Sequence, residues 1–105
     1  MAAVPRRDLP VESNERPQLV FFYSARSGRC RRVEGFIAQA LQRRRNHDTF
    51  ELVRVSVESH PQLAEKFHVD QVPTICVVEG RKLRLSIVSP RGCREIEHQL
   101  EPWLR

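Results

Sequence analysis

The chain has 105 residues, of which 40% are apolar and 30% charged, and its net charge is +5. That length fits one folded domain, and the composition excludes a disordered chain and a bilayer-spanning one. Three cysteines, Cys30, Cys76 and Cys93, are an odd number without metal-type spacing, which excludes a disulfide framework and suits a reducing compartment.

Residues 1–17 hold Pro5, Pro10 and Pro17 among charges and read as a tail, with one short edge strand near Leu9–Val11 as the alternative. This stretch lacks the apolar core of a secretory signal, so a cytoplasmic location is expected. Leu19 to Tyr23 is apolar on both faces and predicts a central, buried strand. Ser24 to Gly28 is a loop. From about Arg29 to Arg45 apolar residues recur at helical spacing, with Val33, Phe36, Ile37, Ala40 and Leu41 on one face. Ser27 is placed to cap that helix, and a basic last turn suits its dipole. Cys30 falls in the first turn.

Phe50 to Val57 is rich in β-branched residues and predicts a second strand. A short helix follows, with Ser59 or His60 as cap, Pro61 near its first position, and Leu63, Ala64 and Phe67 buried. Thr74 to Val78 is a third strand, Glu79-Gly80 a turn, and Leu83, Leu85 and Ile87 alternate along a fourth. Ile96, Leu100, Trp103 and Leu104 line one face of a C-terminal helix that carries Pro102 near its end. The order is β-α-β-α-β-β-α, with the first two strands parallel and the last two a hairpin.

Two separated stretches resemble the thioredoxin family. Phe22-Tyr23-Ser24-Ala25-Arg26-Ser27-Gly28-Arg29-Cys30-Arg31 is similar to the family's strand, active-site loop and helix start. Phe67-His68-Val69-Asp70-Gln71-Val72-Pro73-Thr74, followed by Glu79-Gly80, is similar to the segment around its cis-proline and the hairpin turn after it. The resemblance implies an α/β domain over residues 18–105. Its mixed sheet would have four strands, or five if the tail adds an edge strand, flanked by about three helices. The family's first strand and helix would be shortened. It also implies a cis Val72–Pro73 bond and a groove for extended peptide, to which Arg26, Gly28, Arg29, Val72, Pro73 and Thr74 would contribute.

The departures carry as much information. Ser27 stands where the family has its attacking cysteine, Arg26 where it has tryptophan, Arg29 where it has proline, and Phe21 where it has a buried aspartate. Thiol–disulfide exchange needs a thiolate to attack and a second thiol to resolve the mixed disulfide. A serine hydroxyl does neither, so no dithiol cycle is expected at this loop. Cys30 is left with two readings. The matching family residue is the buried, resolving one, which makes Cys30 an inert vestige. Helix N-termini and neighbouring cations favour thiolates, which makes it a reactive monothiol. Ser27 is read first as a cap and second as a substrate-binding hydroxyl. Whether the chain is an enzyme is therefore left open.

Cys76, on an apolar strand, reads as core. The histidines, His47, His60, His68 and His98, are scattered, so no metal and no cofactor is expected. A second class of function is a non-catalytic module in which Arg26, Arg29, Arg31 and Arg32 dock an acidic protein or peptide. Nucleic acid is the weaker partner, because no stacking aromatic accompanies the arginines. A monomer with no membrane association is expected.

Overall fold

The computed structural model describes residues 16–43, 49–80 and 82–104. The expected edge strand near residues 9–11 and the end of the first helix past Arg43 lie outside them. The described chain forms β1 (Gln18–Tyr23), α1 (Gly28–Arg43), β2 (Glu51–Ser56), α2 (Pro61–Lys66), β3 (Thr74–Glu79), β4 (Lys82–Val88) and α3 (Cys93–Leu100).

The strands make one mixed sheet in the order β2-β1-β3-β4. β1 runs parallel to β2, with Leu19 beside Leu52 and Tyr23 beside Ser56. It runs antiparallel to β3, with Phe22 beside Thr74. β1 has a partner on both edges and a helix layer on both faces, which is why its residues from Gln18 to Phe22 are all buried. Successive side chains of a strand point to opposite faces, so β1 feeds two cores. Leu19 and Phe21 pack with Val33, Ile37 and Ala40 of α1 and with Ile96 and Leu100 of α3. Val20 and Phe22 pack with Val53, Val55, Cys76 and Val78 and with Leu63 and Ala64 of α2.

Two sequence expectations need correction. Leu83, Leu85 and Ile87 do not share one face. Leu85 sits opposite Val77 but Leu83 sits opposite Val78, so Arg84 is an extra residue in the ladder. One extra residue turns everything beyond it to the other face. Leu83 thus leaves the α1/α3 core side, and it is exposed. The C-terminal helix stops at Leu100 rather than running to Leu104. Pro102 has no N–H to donate and its ring crowds the preceding turn. Trp103 and Leu104 still fold back, their N–H groups donating to the Leu100 carbonyl at 2.9 and 3.2 Å. Trp103 also meets Phe50, with ring centroids 6.4 Å apart.

β1 ends at Tyr23, β3 begins at Thr74 beside Phe22, and β4 ends at Val88 beside Thr74. The β1–α1 turn, the segment before β3 and the loop after β4 therefore leave the same edge of the sheet.

Candidate functional site

The β1–α1 turn is closed by serine hydroxyls. The Ser27 N–H donates to the Ser24 carbonyl at 3.2 Å. The Ser27 Oγ accepts the Cys30 N–H at 3.3 Å, which makes Ser27 the N-cap of α1. That satisfies one of the unpaired donors of the first turn. The Ser24 Oγ accepts the Arg26 N–H at 3.2 Å and donates to the Glu58 carboxylate. The Ser56 hydroxyl donates to the other Glu58 oxygen at 3.2 Å. The Ser24 hydrogen bond is the main reason that the Glu58 carboxyl is held below its ordinary value, against a smaller opposing effect of desolvation. Arg26 and Gly28 lie exposed on the turn. A Cβ at Gly28 would meet nothing within 4 Å, so the top of the turn is bare.

Cys30 is 2% exposed. Its Sγ accepts the Ser24 N–H at 3.4 Å and its side chain joins the α1/α3 core. Cys76 is fully buried on the opposite face, as its place in an apolar strand predicts. Burial pushes its thiol up, only partly offset by Ser86 Oγ at 3.6 Å. Cys93 opens α3 and is half-buried, and none of the three cysteines is in a disulfide.

Across the sheet edge, the Val72–Pro73 peptide is cis. The Thr74 hydroxyl donates to the Gln71 carbonyl at 2.6 Å, and the Ser89 N–H donates to the Pro73 carbonyl at 2.8 Å. The loop after β4 is thus tied to the segment before β3. Val72 is half-buried, while Pro73 and Thr74 are buried.

The arginines do not form one rim. Along α1, Cys30, Val33 and Ile37 face the core, and the helical angle of about 100° per residue puts Arg29 and Arg32 on one flank of that stripe and Arg31 on the other. On Arg31's flank lies a pocket of about 200 Å³ lined by Phe21, Tyr23, Cys30, Arg31, Glu34 and Arg54, among others. Arg54 is fully engaged there. Its Nε lies 2.7 Å from Glu34 Oε2, a second guanidinium nitrogen donates to Oε1 at 3.2 Å, and the group stands 5.0 Å over the Tyr23 ring. Phe21 stacks on Tyr23 with centroids 5.6 Å apart. On the other flank is a cleft of about 780 Å³ between α1, Gln71, the end of β4 and the start of α3, where Arg29 and Arg32 face Arg91.

Of the residues that the sequence singles out, Ser27, Gly28, Arg29 and Cys30 fall on one turn, and Val72, Pro73 and Thr74 lie across the same sheet edge. Arg91, Arg54, Glu34 and Glu58 are missed by sequence reasoning. Arg91 follows Pro90 just before a helix, and the hairpin order alone brings that loop to this edge. Nothing in the local pattern marks the other three. Among the described residues no group of three or more His, Cys, Asp or Glu could hold a metal, and no helix is long and apolar enough to cross a membrane.

The sequence model of the family described as Thioredoxin matches residues 8–102. The chain is similar to a thioredoxin of Streptomyces clavuligerus, 30% identical over 82 residues that make up 77% of this chain and 73% of the other. It is similar also to a bifunctional thioredoxin reductase/thioredoxin of Mycobacterium leprae, 28% identical over 78% of this chain but spanning only 18% of that protein. Among solved structures it is similar in fold to a thioredoxin from Nicotiana alata, with a TM-score of 0.72 at 19% identity over 91% of this chain and 79% of the other. A mutant thioredoxin from Halobacterium salinarum gives a TM-score of 0.71 at 17% identity over 85% of this chain and 75% of the other.

Proposed function

The chain belongs to the thioredoxin family of thiol-redox proteins, and from that premise we propose that it does not cycle a dithiol at Ser27-Gly28-Arg29-Cys30. One observation carries the reading. The residue at the attacking position is an oxygen engaged as a helix cap, and the sulfur three residues on is 2% exposed. A disulfide cycle needs two sulfurs that exchange electrons as a pair, and this turn offers one. The chemistry left to Cys30 is that of a single thiol. Its sulfur would displace one half of glutathione disulfide, forming a protein–glutathione disulfide and releasing the other half as a thiolate. Burial makes that step slow.

The test is reduction of insulin driven by dithiothreitol. The expected rate is that of dithiothreitol alone. A rate well above it, lost in Cys30→Ala, overturns the reading.

A second reading is favoured by a different observation. The guanidinium groups of Arg29, Arg32 and Arg91 surround one cleft and have no carboxylate partner among the described residues. That arrangement supports a binding module. On this reading the exposed Arg26, Gly28 and Arg29 and the half-buried Val72 form a surface for a protein partner, with the buried Pro73 and Thr74 beneath it.

A further inference from the structure

We infer that the cleft between α1 and the β4–α3 loop is a subsite for an acidic peptide segment that also presents an apolar side chain. This rests on the reading that the sheet edge carrying Ser27 and Pro73 receives a protein partner, and it names that partner's chemistry. The cleft measures about 780 Å³, within the roughly 300–1,000 Å³ of pockets that bury a ligand. It contains none of Ser27, Cys30 or Pro73 and meets the turn only at Arg29.

Three features set its chemistry. Arg29 and Arg32, one helical turn apart, look across at Arg91, and all three are exposed. Arg54 and Arg84 are paired with Glu34 and Glu79, whereas these three make no ion pair among the described residues. The one carboxylate of the cleft, Glu95, accepts the Arg91 backbone N–H at 2.9 Å. Val88, 52% exposed at the end of β4, Pro90 and the half-buried Phe36 add apolar atoms to the lining of the cleft. Guanidinium forks match carboxylates in two-point hydrogen bonds, and the apolar residues lining the same cleft suit a side chain set between acidic residues. A polyphosphate backbone fits less well. It would leave Val88 and Pro90 uncovered and would meet the Glu95 carboxylate.

The probe is a fluorescein-labelled hexapeptide, Glu-Asp-Leu-Phe-Glu-Glu, titrated by fluorescence anisotropy. Its counterparts have lysine at the four acidic positions, or are a labelled single-stranded oligothymidylate. The wild-type chain is expected to bind the acidic peptide, to lose affinity steeply with salt, and to ignore the lysine peptide. The triple variant Arg29→Gln/Arg32→Gln/Arg91→Gln should weaken binding at least about tenfold. A control that removes the same charge elsewhere, Arg54→Gln/Lys66→Gln/Arg84→Gln, should stay within about twofold. Equal loss in the two triple variants, or equal binding of acidic and lysine peptides, overturns the subsite. Tighter binding of the oligonucleotide than of the peptide overturns the choice of partner. The salt and charge-reversal arms need no variant, so misfolding of either triple variant leaves the test standing. Insulin turnover above background would sink the proposal about Ser27 and leave this binding pattern untouched. A flat anisotropy titration would do the reverse.

Discussion

Two pockets flank the first turns of α1, and both are lined by arginine, yet their physics differs. In the small one, Arg54 is held by two contacts to Glu34 and by the face of Tyr23, over a floor of packed aromatic rings. In the large one, Arg29, Arg32 and Arg91 face a cleft with no such partner among the described residues. The first neutralises Arg54 inside the molecule and leaves one further guanidinium, Arg31, at its rim, whereas the second gathers three that have no such partner among the described residues. Counting arginines cannot tell these apart; what each guanidinium touches can.

The sharpest way to break the comparison is to remove the floor of the small pocket. Phe21 is 1% exposed and stacks on Tyr23 while packing into the α1/α3 core. Phe21→Ala should cost about 3–5 kcal/mol of unfolding free energy in a urea titration, the sum of lost transfer energy and a cavity. A cost below about 1 kcal/mol would mean that the ring is not a structural floor and that the two pockets are less different than they look.

Much of this is legible in the letters, for physical reasons that can be named. The burial of Leu19 to Phe22 follows from an uninterrupted apolar run, and the inward stripe of α1 from its spacing. Cys76 as core follows from its neighbours in an apolar strand. What escapes is of two kinds. The bulge at Arg84 is a property of pairing between two strands, so the alternation of Leu83, Leu85 and Ile87 looks unbroken in the sequence. The division of the arginines is half visible. Helical geometry separates Arg31 from Arg29 and Arg32, but Arg54 and Arg91 come from distant segments and only the sheet order brings them in. Pro102 is visible as a break in the last helix, yet the apolar spacing of Trp103 and Leu104 argues for continuing it, and local backbone geometry decides the matter.

A second, smaller effect lies between the pockets, at the turn they share. Ser27→Ala removes the oxygen that accepts the Cys30 N–H at the start of α1. Loss of a cap typically costs about 1 kcal/mol, and that is the expected shift in urea. Iodoacetamide labelling of Cys30 should rise in the same variant, because the turn that covers the sulfur loses one tie. An unchanged stability would mean that Ser27 is not acting as a cap, and its hydroxyl would then be free for another role.

The smallest effect separates the two pockets most cleanly. Arg54 and Glu34 are both partly exposed, with side chains 51% and 39% accessible, so water screens their attraction. An exposed ion pair of this kind contributes about 0.2–1 kcal/mol, and Arg54→Gln should lower stability by that much. Arg32→Gln, in the cleft, removes a guanidinium with no carboxylate beside it and relieves its repulsion with Arg29. Its effect on stability should lie within about 0.5 kcal/mol of zero, on the favourable side if anywhere. Raising the salt concentration should shrink the Arg54 effect and leave the Arg32 effect unaltered in sign, since screening weakens attraction and repulsion alike. Equal destabilisation by both substitutions would show that Arg32 is paired in solution. The cleft would then be as self-contained as the pocket on the other flank, and the reason to look for an acidic partner there would be gone.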